Sequence, residues 1–153
     1  MPKALFLDRD GTINIDYGYV YQIEKFEFLE GIFELCKNAQ EKGYMIIVIT
    51  NQSGIARGYF TESDFQRITA YMTSEFEKKG ITITDVFYCP DLTGSRRKPE
   101  CGMFLEAKEK YNIDMSASVS VGDKNRDVEA GTKAGCGKNF LLNNNFKEIA
   151  KAL

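Results

Sequence analysis

Apolar residues follow two different spacings along the chain, and the alternation between them predicts an α/β fold. Five short apolar runs have the character of buried strands: 4–7, 44–49, 83–88, 117–121 and 139–142. Between these runs, apolar residues recur every three or four positions, as they do on one face of a helix. Strands that alternate with helices favour a parallel sheet covered on both faces, which is a three-layer, Rossmann-like α/β/α arrangement.

Start and stop signals place the predicted helices. The first covers 31–42, and Gly43 provides its stop signal. Residues 61–64 have the pattern of a capping box, which begins a second helix that ends near Gly80. Three further helices are predicted: 104–111, a helix from about 125 onwards, and 146–153.

The segment 13–30 fits neither spacing and is rich in aromatic residues. These residues are Tyr17, Tyr19, Tyr21, Phe26 and Phe28. We expect an ordered flap over the carboxyl ends of the strands, where parallel sheets bind their ligands. A surface loop whose aromatic side chains only pack onto the protein is the alternative.

Composition limits the classes of function. With 153 residues, 43% of them hydrophobic, the chain predicts one domain over 1–153. A net charge of −2 argues against non-specific binding to nucleic acids or to anionic membranes. No apolar run is long enough to cross a bilayer, and no signal-peptide pattern begins the chain. We expect a cytoplasmic monomer without nucleic-acid or membrane partners.

The chain contains four cysteines and no histidine. No two cysteines have the C-x-x-C spacing of a zinc or redox site, so we expect reduced thiols. The lack of histidine excludes Ser-His and Cys-His catalysis and any metal site that needs an imidazole ligand. A catalyst built from this chain must use carboxylates, lysine, hydroxyls or a metal bound by oxygen.

Four polar clusters each lie just beyond an apolar run. They are Asp8-Arg9-Asp10-Gly11-Thr12, Thr50-Asn51-Gln52-Ser53-Gly54, Arg97-Lys98-Pro99 and Gly122-Asp123-Lys124. Each has a simpler interpretation by itself: solvated acids before a turn, a hydroxyl at a strand end, or a solvated basic run. Their agreement in position favours one catalytic site at the edge of the sheet.

The residue types suit phosphoryl transfer. Three carboxylates, Asp8, Asp10 and Asp123, are expected to meet at neighbouring strand ends, and such a cluster repels itself unless it holds a cation. Oxygen ligands with room for water and a phosphate suit Mg²⁺. A carboxylate can attack phosphorus to form an aspartyl-phosphate, while Asp10 acts as acid and then as base. Lys98 and Thr50 provide charge and a hydroxyl for the transition state.

Asp127 lies four residues after Asp123, near the predicted start of a helix. One interpretation is that its carboxylate complements the positive end of the helix dipole. The other is a supporting role, in which Asp127 orients Lys98 or a metal-bound water.

The four clusters, in this order, resemble the motifs of the haloacid dehalogenase (HAD) phosphohydrolase superfamily. The stretches Asp16-Tyr17-Gly18-Tyr19-Val20 and Ile55-Ala56-Arg57-Gly58 are similar to those of D-glycero-D-manno-heptose 1,7-bisphosphate 7-phosphatases, which have histidinol-phosphate phosphatases as relatives. The resemblance runs over about 4–135 and implies an essentially capless HAD-like domain. It also implies a phosphorylated sugar as substrate, in the synthesis of bacterial surface carbohydrates such as lipopolysaccharide.

The resemblance also assigns roles to residues. It implies that Asp8 is the nucleophile and Asp10 the acid/base, with Thr50 and Lys98 stabilising the transferred phosphoryl group. Mg²⁺ would be held by Asp8, the backbone carbonyl of Asp10 and Asp123. The substrate would contact ten residues: Arg9, Asp16, Tyr17, Gly18, Tyr19, Asn51, Gln52, Ser53, Arg97 and Lys124.

One feature of the resembling family is missing from this chain. The resemblance implies a structural zinc held by three cysteines and one histidine in the loop before Arg97. Cys89 stands at the first ligand position, but the other three positions are Asp91, Gly94 and Arg96. A lone thiolate cannot close a tetrahedral site, so we expect no structural zinc.

Three other functions remain open from the sequence. Histidinol-phosphate phosphatase activity belongs to the same class, since an aromatic flap can hold an imidazole. A phospho-accepting receiver domain also uses acids, threonine and lysine around Mg²⁺, but its phosphorylated aspartate ends a middle strand, whereas Asp8 ends the first. A catalytically inactive scaffold is the last alternative, and the intact motifs argue against it.

Overall fold

Five parallel strands form one sheet in the spatial order β3-β2-β1-β4-β5, and the computed structural model describes all 153 residues. The strands are β1 (Lys3–Leu7), β2 (Tyr44–Asn51), β3 (Asp85–Cys89), β4 (Val119–Gly122) and β5 (Lys138–Leu141). This order puts β1 in the middle, between β2 and β4. The carboxyl ends of the three central strands therefore meet at one edge of the sheet.

Five helices cover the two faces of the sheet. They are α1 (Ile32–Glu41), α2 (Glu62–Lys78), α3 (Gly102–Tyr111), α4 (Asn125–Lys133) and α5 (Phe146–Ala152). Buried residues of α1, α2 and α5 belong to one hydrophobic core, and those of α3 and α4 belong to a second. The predicted three-layer α/β/α architecture is confirmed.

The two central strands bury both of their faces. In β1, Leu5 and Leu7 belong to the first core, whereas Ala4 and Phe6 belong to the second. Successive side chains of a strand point to opposite faces, so a strand covered on both sides must be apolar throughout. This requirement explains the continuous apolar run of β2, most of whose residues are buried.

Most predicted element bounds agree with the structure to within two residues. The capping box is present: Thr61 accepts a bond from the Asp64 amide, and Asp64 accepts one from the Thr61 amide. The third and fourth strands each begin two residues later than predicted, at Asp85 and Val119. The Thr82 amide instead donates to the side chain of Gln40, and Ile81 is still bonded to the end of α2.

The segment 13–30 is a loop with one short 3₁₀ helix, Ile23–Lys25. Both interpretations of it are partly right. Val20 and Phe26 are buried in the first core, whereas Tyr17 and Tyr19 are about half exposed beside the strand ends. None of the helices combines the length and the apolar character that crossing a membrane requires.

Candidate active site

A cavity of about 360 Å³ opens at the carboxyl edge of the central strands. Eleven of the residues predicted for the site line it: Asp8, Asp10, Asp16, Gly18, Tyr19, Asn51, Gln52, Ser53, Arg97, Lys98 and Lys124. Three residues that were not predicted complete the lining: Gly54, Arg57 and Arg126. The structure therefore brings the four polar clusters of the sequence into one site.

Three carboxylates form a cluster at this edge. One oxygen from each of Asp8, Asp123 and Asp127 lies within 4.8 Å of the others. Oδ1 of Asp123 is buried and has no hydrogen-bond partner. A buried, unpartnered carboxylate oxygen among other acids is unfavourable unless a cation neutralises it. The cluster therefore fits a hard divalent cation bound by oxygen.

Gly11 makes room for this cluster. A Cβ atom placed on Gly11 would lie 2.1 Å from Oδ2 of Asp123, and the backbone there has a φ of +87°. Both the space and the left-handed backbone require glycine at this position. The turn after β1 thus fixes the distance between the Asp8 loop and the end of β4.

Replacing Gly11 with alanine is expected to displace Asp123 and to lower affinity for Mg²⁺ by about 10–100-fold, the range seen when supporting residues of metal sites are lost. Isothermal titration with Mg²⁺ measures this. Gly43→Ala is the matched control, since Gly43 has the same φ of +87° but open space around its Cβ position. Equal losses of affinity in the two variants would mean that backbone strain, not the contact with Asp123, is responsible.

Lys98 joins the nucleophile candidate to Asp127. Its side chain is 2% exposed, and Nζ lies 2.8 Å from Oδ1 of Asp8 and 2.6 Å from Oδ1 of Asp127. Nζ also donates to the carbonyl of Ile49 at 2.7 Å. Burial lowers the pKa of Lys98, but the attraction of Asp8 and Asp127 outweighs it and raises the pKa above its usual value. Lys98 is therefore a fixed positive charge at the floor of the site.

Asn51 fixes the backbone of Lys98. Its side-chain oxygen accepts from the Lys98 amide at 3.0 Å, and its side-chain nitrogen donates to the Lys98 carbonyl at 3.1 Å. This pair of bonds ties the end of β2 to the loop before α3. One asparagine thus aligns two of the predicted clusters.

Asp10 is held by four hydrogen-bond donors from three side chains. Its carboxylate accepts from Nε and Nη2 of Arg9, from Asn14 at 3.0 Å and from Gln52 at 3.0 Å. The Gln52 amide also donates to the hydroxyl of Thr50 at 2.9 Å. The acid/base candidate is thus fixed in orientation while still lining the cavity.

Four predicted residues do not line the cavity, and one of them, Asp123, belongs to the carboxylate cluster described above. Arg9 is 1% exposed, and its guanidinium bonds to Asp10 and to the carbonyl of Val20, so its side chain positions Asp10 rather than meeting a substrate. Tyr17 borders an adjacent groove and donates to Glu27 instead. Thr50 is 1% exposed, and its hydroxyl is bonded within the 50–52 loop.

The structure also shows what the sequence did not reveal. Asn14 is fully buried against Asp10, although the sequence predicted no role for it. Arg126 sits two residues after Lys124, at the start of α4. Arg57 lines the cavity and lies within 55–58, a stretch on which the family resemblance rests. That resemblance was the sequence signal that could have identified it.

The loop between β3 and α3 is where the resembling family holds zinc. Cys89 is buried at the end of β3, whereas Asp91 and Gly94 are exposed. The four cysteines are free thiols. The expectation that no structural zinc is bound stays a prediction, and elemental analysis of the purified protein tests it.

Comparison with known proteins agrees with the geometry. A family model described as "Polynucleotide kinase 3 phosphatase" matches residues 4–147. D-glycero-alpha-D-manno-heptose-1,7-bisphosphate 7-phosphatase of Campylobacter jejuni is 51% identical over 147 residues, covering 95% of this chain and 86% of the relative. The D-glycero-beta-D-manno-heptose-1,7-bisphosphate 7-phosphatase of Haemophilus ducreyi is 47% identical over 150 residues, covering 92% of this chain and 82% of the relative.

Solved structures share the same fold. D,D-heptose 1,7-bisphosphate phosphatase from B. bronchiseptica, complexed with magnesium and phosphate, superposes with a TM-score of 0.85 at 29% identity, covering 97% of this chain and 86% of that chain. A HAD-like phosphatase from Mesorhizobium loti gives a TM-score of 0.86 at 34% identity, covering 92% of this chain and 72% of that chain.

Proposed function

We propose that this protein removes the 7-phosphate of a heptose 1,7-bisphosphate. The chain belongs to the D-glycero-D-manno-heptose-1,7-bisphosphate 7-phosphatases and to the polynucleotide kinase 3 phosphatase family. The observation that carries the proposal is the buried Lys98, paired with Asp8 and Asp127 at the floor of the cavity. A fixed cation beside a carboxylate nucleophile is what phosphoryl transfer to that carboxylate requires.

Asp8 is the nucleophile in the proposed reaction. Its carboxylate oxygen attacks phosphorus, the bond from phosphorus to the sugar oxygen breaks, and an aspartyl-phosphate forms on Asp8. Asp10, which must carry a proton when the substrate binds, gives it to the departing sugar oxygen. It then takes a proton from a water whose oxygen bonds to phosphorus as the bond from phosphorus to Asp8 breaks. Phosphate leaves, and both carboxyl groups return to their starting states.

Lys98 and Thr50 support the transfer. Lys98 keeps its charge beside Asp8 throughout, so it offsets the negative charge that builds on the phosphoryl oxygens. The side-chain amide of Gln52 connects Thr50 to Asp10, because it donates hydrogen bonds to the Thr50 hydroxyl and to the Asp10 carboxylate. We propose that Thr50 aligns Gln52 and Asp10 by these hydrogen bonds. Its effect on the transferred phosphoryl group would then be indirect, through Asp10.

The carboxylate cluster suits Mg²⁺, which neutralises charge on the phosphoryl group when it is bound. We propose Asp8, the backbone carbonyl of Asp10 and Asp123 as its ligands. The buried, unpartnered Oδ1 of Asp123 and the close approach of three acids support this choice. Asp127 belongs to the same cluster and pairs with Lys98 as Asp8 does; we assign it to holding Lys98 and leave it outside the ligand set.

The cavity wall would hold the sugar and its second phosphate. Cations surround the catalytic floor: Arg57, Arg97, Lys124 and Arg126. The remaining proposed contacts with the sugar come from the flap and from the loop after β2: Asp16, Gly18, Tyr19, Asn51, Gln52 and Ser53. Cationic and polar groups around one cavity fit a substrate with two phosphates and many hydroxyls.

Mg²⁺ is expected to stabilise the protein more at pH 8 than at pH 5. Burial raises the pKa of Asp8 from 3.8 to about 7, and the nearby Asp127 adds to this, while Lys98 opposes it. Without metal, the native state holds this proton more tightly than the unfolded state, so the free energy of unfolding falls between about pH 4 and pH 7. Mg²⁺ favours the ionised form and removes this loss.

Thermal melting with and without Mg²⁺ measures this difference. Asp123→Asn serves as the control and should abolish the response to Mg²⁺ at both pH values. A Mg²⁺-induced rise in melting temperature that is equal at pH 5 and pH 8 would contradict the proposed link between Asp8 and the metal.

Phosphate release from a panel of substrates tests the proposed function. The panel contains both anomers of D-glycero-D-manno-heptose 1,7-bisphosphate, histidinol phosphate, a 3′-phosphorylated oligonucleotide and p-nitrophenyl phosphate, each with Mg²⁺ and with EDTA. We expect strong Mg²⁺-dependent turnover of at least one heptose anomer. Preferred turnover of histidinol phosphate or of the oligonucleotide would replace the substrate, and a long-lived phosphoprotein without turnover would favour a receiver domain.

We also propose that the protein acts as a cytoplasmic monomer. Its four thiols are free. Reduced thiols are typical of the cytoplasm. Light scattering of the purified protein tests the monomer, and fractionation of the source cells tests the location.

A further inference from the structure

Arg96 ties the loop that carries Arg97 and Lys98 to the two elements on either side of it. Its Nε and Nη2 donate to the two carboxylate oxygens of Glu106 in α3. Its Nη1 donates to the carbonyl of Tyr88 in β3 at 2.9 Å. A guanidinium can make these bonds at once because its donors are fixed in one plane.

The rest of this loop has few other attachments. Residues 91–95 are exposed, so little apolar burial holds them in place. The Gly102 amide donates to the carbonyl of Ser95 at 2.9 Å, and a Cβ on Gly102 would lie 2.5 Å from that oxygen. The loop therefore depends on polar contacts at one place, around 95–96, just before the residues that enter the cavity.

The two residues that follow Arg96 differ in how firmly they are held. Lys98 has three partners of its own for Nζ and two backbone bonds with Asn51. Arg97 is half-buried, and its side chain makes one long bond, of 3.4 Å, to the carbonyl of the exposed Asp91. Loss of the Arg96 contacts would therefore move Arg97 and leave Lys98 in place.

We propose that Arg96 is a positioning residue that holds Arg97 at the cavity wall and thereby sets the affinity for the phosphorylated substrate. It touches neither the reacting atoms nor the cavity. The proposal rests on the proposed function in one respect, which is that Arg97 binds the substrate. Against it stands the general finding that exposed ion pairs contribute little, although bidentate arginine pairs are the exception.

The chain contains a matched control on the same two elements. Lys110 of α3 lies 2.7 Å from Asp85 of β3, at the opposite end of the strand from the cavity. Lys110→Ala therefore removes an ion pair between α3 and β3 without touching the loop. A purely structural role predicts similar consequences for Arg96→Ala and Lys110→Ala.

The test is a cycle of single and double variants, assayed with whichever phosphorylated sugar the wild-type protein hydrolyses. Arg96→Ala is expected to raise KM by about tenfold, the loss of roughly one charge-assisted hydrogen bond, and to leave kcat within about twofold. Arg97→Ala is expected to raise KM by at least as much. In the Arg97→Ala background, Arg96→Ala should have no further effect, because it acts through Arg97.

Three results would overturn the proposal. The first is a full tenfold rise in KM when Arg96→Ala is added to Arg97→Ala. The second is an equal rise in KM in Lys110→Ala. The third is a fall in kcat of Arg96→Ala without a change in KM. Arg96→Lys adds a graded measure, since lysine keeps the charge but cannot bond to Glu106 and Tyr88 together; it should fall between wild type and Arg96→Ala.

Hydrogen exchange separates failure of this proposal from failure of the proposed function. The amides of Arg97 and Gly102 are bonded to the carbonyls of Gly94 and Ser95. These amides should exchange faster in Arg96→Ala than in the wild-type protein, and at the wild-type rate in Lys110→Ala. If the wild-type protein hydrolyses no phosphorylated sugar, the function fails while exchange still reports on Arg96. Unchanged protection in Arg96→Ala overturns the positioning role whatever the substrate is.

Discussion

Asp8→Asn is expected to abolish phosphate release and to leave the fold intact. The amide cannot attack phosphorus, so we expect turnover to fall by about 10⁴-fold or more, as when other catalytic nucleophiles are removed. Folding should survive because Lys98 has two carboxylate partners, Asp8 and Asp127. Removing one acid leaves one buried lysine with one buried carboxylate. Steady-state phosphate release and thermal melting measure the two effects.

Asp91→Asn is a suitable control for this variant. Asp91 is an exposed acid beyond the end of β3, two strands away from β1, and it does not line the cavity. The Asp91→Asn variant should retain full activity and stability. Turnover by Asp8→Asn within about tenfold of wild type would contradict an aspartyl-phosphate mechanism on Asp8.

Lys98→Met is expected to lose both activity and stability. Methionine fills a similar volume but leaves Asp8 and Asp127 buried without their cation, and removing one partner of a buried ion pair costs about 3–5 kcal/mol. Catalysis should fall by about 10²–10³-fold, because the phosphoryl oxygens lose a fixed positive charge. Urea denaturation gives the free energy of unfolding, and phosphate release gives kcat.

A double variant separates the two losses. Lys98→Met combined with Asp127→Asn removes the second buried acid, so stability should partly recover while activity stays as low as in Lys98→Met. Lys78→Met is the control, since Lys78 forms its ion pair with Glu75 on the exposed surface of α2 and should change neither quantity. If the double variant is no more stable than Lys98→Met, the unpaired carboxylates are not what destabilises the protein.

The basic run before α3 shows what a sequence pattern can and cannot predict. Arg96, Arg97 and Lys98 are adjacent, and a solvated basic run was one interpretation of them. The structure gives them three environments: Arg96 bonds to α3 and β3, Arg97 borders the cavity, and Lys98 is buried among acids. The positions of the surrounding strands, helices and acids distinguish the three residues. The local sequence does not contain this three-dimensional information.

Arg9 shows the same limit at the other end of the site. The family resemblance implied that Arg9 contacts the substrate. The chain direction there turns its side chain inward, where it bonds to Asp10 and to the carbonyl of Val20. Asp127 fits both of the interpretations given for it: its Oδ1 lies 2.6 Å from Nζ of Lys98, and its Oδ2 accepts from the Lys124 amide at 3.0 Å at the start of α4.

Sheet topology explains why the main acids and the architecture were predictable. Asp8 and Asp123 directly follow buried apolar runs, and parallel strands bring such positions to one edge. The third strand was placed two residues too early because Ile83 continues the apolar pattern, although residues 81–82 are bonded to α2 and α1 and the bonds to β2 begin only at the Thr84 amide, which donates to Ile46. Pattern predicts apolar burial, but hydrogen bonding decides where a strand begins.

The most direct test of the proposed reaction is to follow D-glycero-D-manno-heptose 1,7-bisphosphate by ³¹P nuclear magnetic resonance as the protein acts on it. With Mg²⁺, we expect that the 7-phosphate signal disappears, the 1-phosphate signal remains and inorganic phosphate appears in equal amount. Neither EDTA-treated protein nor Asp8→Asn should produce this change. Loss of the 1-phosphate first, or hydrolysis that persists in Asp8→Asn, would contradict the proposed reaction.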